Sequence, residues 1–237
     1  MVNTADVISL TGDELTAIAH GLGAGSFPGV GASCYDAVGP ELHSVLDHGF
    51  LMSLVARGLL APDEDGVLQP SEELAVLIGA VGDHRAHLSV EQTISGSVLR
   101  WEVMTSDAGV VRHLVDDPIH LFALDPAGTD LAVVLADLVD RSEGCGESGR
   151  RRRCASKAAG LDDVVQAPEG GWRRVTRLAR ADVKGGARVD GSLAILDGGP
   201  GQIWLVHEDD ADDVLVATPV SDSEVDAALK AMAVHGN

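Results

Sequence analysis

The sequence predicts an α+β protein, an antiparallel sheet with a pseudo-twofold internal duplication and helices packed against it. Three observations lead there. Apolar residues recur at helical spacing near the start of the chain and change to strict alternation from His84. An order of strand, turn, strand, loop, strand, proline, cap and helix then occurs twice, with Pro126 and Pro219 at matching points. Finally, 45% of the 237 residues are apolar but only seven are aromatic (three Phe, three Trp, one Tyr), so the core must be built from aliphatic side chains.

Thr11 is placed to cap a first helix, with Asp13 and Glu14 in its first turn and Leu15, Ile18, Ala19 and Leu22 along one face. Gly21, Gly23, Gly25 and Pro28 end it. Leu42, Val45, Leu46, Phe50, Leu54 and Val55 predict a long helix from Pro40 to Leu60. PDEDGV then turns the chain, and Ser71 caps a shorter helix carrying Leu74, Leu77 and Ile78. Strands follow near Leu88–Ile94, Val98–Met104, Val110–Val115 and Ile119–Leu124, with Thr129 read as the cap of a helix carrying Leu131, Val134, Leu135 and Leu138. The second round places strands at Arg174–Leu178, Gly191–Leu196, Gln202–His207 and Val214–Ala217, and a last helix after Ser221 or Asp222. This organisation reads as one domain, 1–237, made of halves 1–141 and 164–237 joined by a flexible Gly/Arg-rich linker, 142–163.

The charge is distributed unevenly. Net charge is −20, with 17 basic and 37 acidic residues. Residues 1–149 hold 5 basic and 23 acidic groups, 150–188 hold 11 and 4, and 189–237 hold 1 and 10. An acidic surface repels phosphate, and so few aromatics make no base-stacking platform, so no nucleic-acid partner is expected. The run Arg150–Arg153 reads either as a patch for an anionic partner or as a solvated counter-charge on an acidic body. Three cysteines (Cys34, Cys145, Cys154) form neither a disulfide framework nor a zinc pair. The start, MVNTADVISLTGDEL, lacks the basic and apolar regions of a signal peptide, and no apolar run is long enough for a membrane span. A cytoplasmic protein is expected.

Chemistry-bearing patterns are sparse. GLGAGSFPGVG follows a helix, where a phosphate-cradling loop follows a strand, so no cofactor is expected. Asp63 and Asp65 lack the later ligands of a calcium loop. His43 and His48 are five apart, and His84 and His87 are expected on opposite sides of a strand start. Glu208–Asp213 reads as a solvated hairpin tip, and Cys34 has no basic neighbour to activate it. No metal site is expected. The best acid–base cluster is His113, Asp116, Asp117 and His120, the basis of an alternative reading as a small hydrolase or metal-binding enzyme.

Several segments resemble one family. LTGDELTAIAHGLG, LMSLVARGLLAPDEDGVLQPSEELAVLI, ARVDGSLAILDGGPGQIWLV and DVLVATPVSDSEVDAALKAMA are similar to the first helix, the helix–turn–helix, the paired C-terminal strands and the closing strand–proline–helix of the EspG family. These are cytosolic chaperones of actinobacterial type VII (ESX) secretion. The chain departs from the family's pattern at Ala19-His20, where a Trp is common, and at Ile195-Leu196-Asp197, where an aromatic-Asp-Thr element is usual. The resemblance implies a pseudo-twofold sheet and a binding role without catalysis, holding a helical secreted substrate, PPE-like or WXG-like, in soluble form. Arg100, Trp101, Glu102, Arg112, Ile203 and Trp204 are the expected partner-binding residues, with Trp101 and Trp204 equally readable as core.

Overall fold

The computed structural model describes residues 7–23, 27–31, 33–144, 153–156, 161–181, 191–209 and 214–234. In chain order the elements are β1 (Val7–Thr11), α1 (Gly12–Gly21), α2 (His43–Ala56), β2 (Leu60–Pro62), β3 (Leu68–Pro70), α3 (Glu72–Gly82), β4 (Ala86–Ile94), β5 (Ser97–Ser106), β6 (Gly109–Val115), β7 (Ile119–Pro126) and α4 (Leu131–Val139). They continue with β8 (Arg153–Ser156), α5 (Leu161–Val164), β9 (Arg174–Ala181), β10 (Ser192–Asp197), β11 (Ile203–Asp209), β12 (Val214–Pro219) and α6 (Asp222–Val234). Two 3₁₀ turns, Cys34–Ala37 and Pro40–Leu42, precede α2. No helix among the described residues is long and apolar enough to cross a membrane.

The fold is α+β, and its large sheet has the strand order β1-β7-β6-β5-β4-β9-β10-β11-β12-β8. β2 and β3 form a separate ribbon. The order repeats a single plan. A four-strand run, β4 to β7 or β9 to β12, is followed by a helix, α4 or α6, and its last strand pairs antiparallel with a strand from earlier in the chain, β1 or β8. Pro126 and Pro219 close the two equivalent strands, β7 and β12.

Neither β1 nor β8 stands out in the sequence. Val7–Thr11 merges with the helix cap that follows it, and Arg153–Ser156 lies inside the segment read as a linker. Main-chain pairing makes both into strands: Ile8 sits opposite Phe122, and Val216 opposite Cys154. Within that linker segment Leu161–Val164 is also helical, while residues 145–152 and 157–160 lie outside the described residues.

Local capping follows the sequence closely, with one shift. Thr11 and Glu14 form a reciprocal capping box, and Ser71 accepts from the Leu74 amide. The cap of α4 is Asp130, whose carboxylate accepts from the Ala132 amide, and not Thr129, whose hydroxyl is spent on the Pro126 carbonyl. At the other end of α4, Asp140 adopts a left-handed conformation, and Arg174 donates to the Val139 carbonyl and the Asp140 carboxylate.

Contacts divide the chain into two compact units. The first comprises the described residues within Met1–His87 and Trp101–Thr129, the second those within Leu88–Arg100 and Asp130–Asn237. In the first, Leu15 and Ile18 of α1, Leu54 of α2 and Leu74 and Leu77 of α3 pack onto Met104, Val111 and Phe122 of the sheet. In the second, Val164 and Val165 cover Ala194, Leu196, Val206 and Ala217, while α4 packs on α6. Both cores are almost wholly aliphatic.

Candidate functional site

In the described part of the second unit, the sheet face that Val164 and Val165 partly cover carries both aromatic and charged groups. Antiparallel register places Leu196 opposite Trp204 and Val175, and Ala194 opposite Val206 and Arg177, so these side chains share a face. Trp204 and Trp172 are each half-buried against the cluster around Leu196. Arg153, the one described member of the Arg150–Arg153 run, stacks over the Trp204 ring at 5.0 Å. At the other end of this face Glu91 lies between Arg177, at 3.2 Å, and Arg100, at 3.6 Å. With Glu208 also on this face of β11, three arginines and two glutamates give it a small positive excess on an acidic protein.

The tip of the β4–β5 hairpin adds an apolar element that the sequence reading did not select. Ser95 and Gly96 turn the chain with positive φ at both positions, the geometry of a tight hairpin. Val98 and Leu99 just beyond are 57% and 38% exposed. Being adjacent in a strand, they point to opposite faces, and Val98 shares the face of Arg100. The run Val-Leu-Arg-Trp after a Ser-Gly turn was the available signal. Within that run the sequence points to Arg100 and Trp101, not to Val98.

Of the six residues expected at a binding surface, Arg100 and Trp204 lie on this face. Ile203 is opposite Asp197, on the other side of β11, and is 2% exposed. Trp101 is half-buried on β5. Glu102 and Arg112 are buried in the first unit, where His87 approaches Glu102 at 2.7 Å and Arg112 meets Asp125 at 2.8 Å. Charges withdrawn from water in this way are held by their partners and are not presented to solvent.

No protein-family model matches the chain, and no curated protein matches it. Among solved structures it is similar to the Mycobacterium tuberculosis type VII secretion system chaperone EspG5, solved in complex with a PE25–PPE41 dimer. The likeness covers 98% of each chain with a TM-score of 0.58 and 10% sequence identity. At that identity the two share a fold.

The histidine cluster of the alternative reading comes together only in part. His113 Nε2 and His120 Nδ1 are 2.9 Å apart, and His120 Nε2 is 3.3 Å from Asp117. Both rings are fully buried, and His113 stacks on Phe122 with centroids 4.3 Å apart. No group of three or more His, Cys, Asp or Glu among the described residues is arranged to hold a metal. His84 and His87, expected on opposite sides, meet edge to face at 5.7 Å because His84 turns back to the Val81 carbonyl. Asp63 spends its carboxylate on Asp65, Val67 and Gln69 of its own turn. Burial, and then Asp13, raise the Cys34 thiol above its ordinary pKa, consistent with an unactivated cysteine. Arg150–Arg152, Cys145 and Asp210–Asp213 lie outside the described residues.

The imidazole pair carries a pH prediction. Burial, reinforced by the His120 ring, pushes His113 down to about 3, and burial lowers His120 against the opposing pull of Asp117. Unfolded imidazoles titrate near 6.5, so below that pH the unfolded chain takes up protons that the folded chain refuses. The contribution is complete above 6.5 and is lost as pH falls toward 3, by about 1.4 kcal/mol for each pH unit crossed by one such group. Urea midpoints should fall between pH 6.5 and 5, above the range where most carboxylates titrate, and His113→Leu should flatten that slope. An unchanged slope in the variant would show that the pair does not titrate with folding.

Proposed function

We propose that the protein is a cytoplasmic binding chaperone without catalytic activity, which holds a helical type VII secretion substrate, PPE-like or WXG-like, in soluble form before export. The observation that supports this most is the sheet face bearing Trp204, Arg100, Arg177 and Arg153, with Val98 beside it at the hairpin tip. A half-buried Trp204, an exposed Val98 and arginines along one face suit the apolar tip of a helical protein that also offers carboxylates. The full-length likeness to a chaperone solved with a PE–PPE dimer points the same way.

Co-expression with a PPE-like or WXG-like protein encoded beside the gene tests the proposal. The substrate should gain soluble yield and co-elute with the chaperone. Val98→Asp combined with Arg100→Glu, both at exposed positions, should weaken that complex at least about tenfold, equivalent to about 1.4 kcal/mol. It should leave the thermal midpoint of the free protein unchanged. Absence of co-elution with every such candidate would remove the chaperone reading, and full affinity in the double variant would move the site off this face.

A further inference from the structure

Antiparallel register carries one row of side chains across the second unit. Arg177 lies opposite Ala194, Ala194 opposite Val206, Val206 opposite Ala217 and Ala217 opposite Arg153. Beyond Arg177 the row continues through Glu91 of β4 to Arg100 of β5. Its middle is closed to partners, since Ala194, Val206 and Ala217 are all buried. Its β4–β5 end is open: the Arg100 and Arg177 side chains are 52% and 50% exposed, and Glu91 between them 34%.

One carboxylate there serves two guanidinium groups. Glu91 Oε1 accepts from Arg177 Nη1 at 3.2 Å, whereas Oε2 is 3.6 Å from Arg100 Nη2, too far for a hydrogen bond. The guanidinium groups of Arg57, Arg112, Arg141, Arg174 and Arg180 each donate hydrogen bonds within the chain. That of Arg100 donates none among the described residues, which leaves its N–H donors open to an incoming group. Exposed ion pairs of this length add little to stability, so the fold does not require three charged residues side by side here.

The chemistry of this end selects the occupant. Two arginines against one glutamate leave a positive excess on a chain whose net charge is −20. A guanidinium with unused donors in its plane is best met by a carboxylate, which it can grip as a fork. Val98, two residues before Arg100 on β5, shares its face and is 57% exposed. Two residues along a strand span on the order of 7 Å, and residues one turn apart on a helix lie about 5–6 Å from each other. A helix with an acidic residue one turn from an apolar one therefore matches Arg100 and Val98 together. Glu91 opposes such a helix, because its charge repels the incoming carboxylate and already holds part of both guanidinium groups.

We propose that Arg100 and Arg177 clasp an Asp or Glu of a partner helix, one turn from an apolar residue that seats on Val98, and that Glu91 is the chain's own competitor for the same guanidinium groups. The clasp rests on the reading of this face as a docking surface for a helical client. The probes are two fluorescein-labelled helical peptides with the same Leu residues, one carrying Glu and the other Gln one turn from each Leu. Fluorescence anisotropy should show the full-length protein binding the Glu peptide at least about threefold more tightly, an advantage that shrinks as salt is raised. Glu91→Gln should tighten the Glu peptide by a further factor of about three and leave the Gln peptide unchanged, a gain that misfolding cannot produce. Arg100→Gln should remove the preference for Glu with the thermal midpoint unchanged. Equal binding of the two peptides, binding of neither, a Glu91→Gln variant that does not gain, or a single-stranded oligonucleotide bound more tightly than the Glu peptide would each overturn the clasp. The two readings fail separately: a secretion protein that co-elutes while the peptides fail removes only the clasp, and peptides that bind as expected where no secretion protein co-elutes remove only the chaperone.

Discussion

Glu14→Ala should destabilise the protein by about 1–3 kcal/mol, the cost of losing a helix cap and the hydrogen bonds of a buried carboxylate. Glu14 is 4% exposed and fully engaged. Its Oε2 accepts from the Thr11 amide at 2.9 Å, its Oε1 accepts from the Ser53 hydroxyl at 3.0 Å, and Arg57 Nη1 reaches both oxygens. One side chain therefore completes the capping box of α1, joins α1 to α2 and neutralises Arg57. Alanine removes all three functions. Urea unfolding of Glu14→Ala, Arg57→Ala and the double variant separates them: the pair should be non-additive, because Arg57→Ala leaves the buried Glu14 carboxylate without its counter-charge. A loss below about 1 kcal/mol for Glu14→Ala would mean that the site relaxes to admit water, and that the carboxylate acts only as a cap.

Phe122→Ala should cost more, about 3–5 kcal/mol, through the cavity it leaves. Phe122 is one of only three phenylalanines and is fully buried in the middle of β7. It lies opposite Ile8 on one side and His113 on the other, stacks on the His113 ring and meets Phe27 edge to face at 6.2 Å. Phe122→Leu should be markedly milder, since it keeps most of the apolar volume. The truncation should also weaken the pH dependence of stability, because water entering the cavity would solvate His113 and ease its protonation. Urea titrations of both variants at pH 7 and pH 5.5 give both readings.

The sequence revealed the features that depend on neighbours along the chain. Thr11, Asp13 and Glu14 announce a helix start by their spacing alone, and Ser71 does the same for α3. The strands β4 to β7 and β9 to β12 show through alternation broken by Gly, Asp and Pro, which is why the repeated order and the fold class could be read. What escaped depends on residues far apart in the chain. Val7–Thr11 and Arg153–Ser156 become strands only through their pairing with β7 and β12. Ile203 and Trp204 look equivalent in the sequence, yet register sends them to opposite faces. Glu102 and Arg112 read as surface charges because their partners, His87 and Asp125, are 15 and 13 residues away. The exposed Val98 was hidden by the opposite error, since an apolar residue in a strand is ordinarily expected to face inward.

The outer border of β1 has a consequence for how anything can attach to this protein. Gly12 donates to the Pro118 carbonyl, toward β7, so Ser9 and Thr11 direct their main-chain groups the other way. There the Thr11 amide is taken by Glu14 and the Ser9 carbonyl by Arg57. An unprotected border of this kind is a template on which a foreign strand, or another molecule of the same chain, can zip up regardless of its side chains. With those two groups already occupied, sequence-blind attachment at this end of the strand is weakened. Attachment on this side has to rely more on side-chain shape and charge than on main-chain pairing.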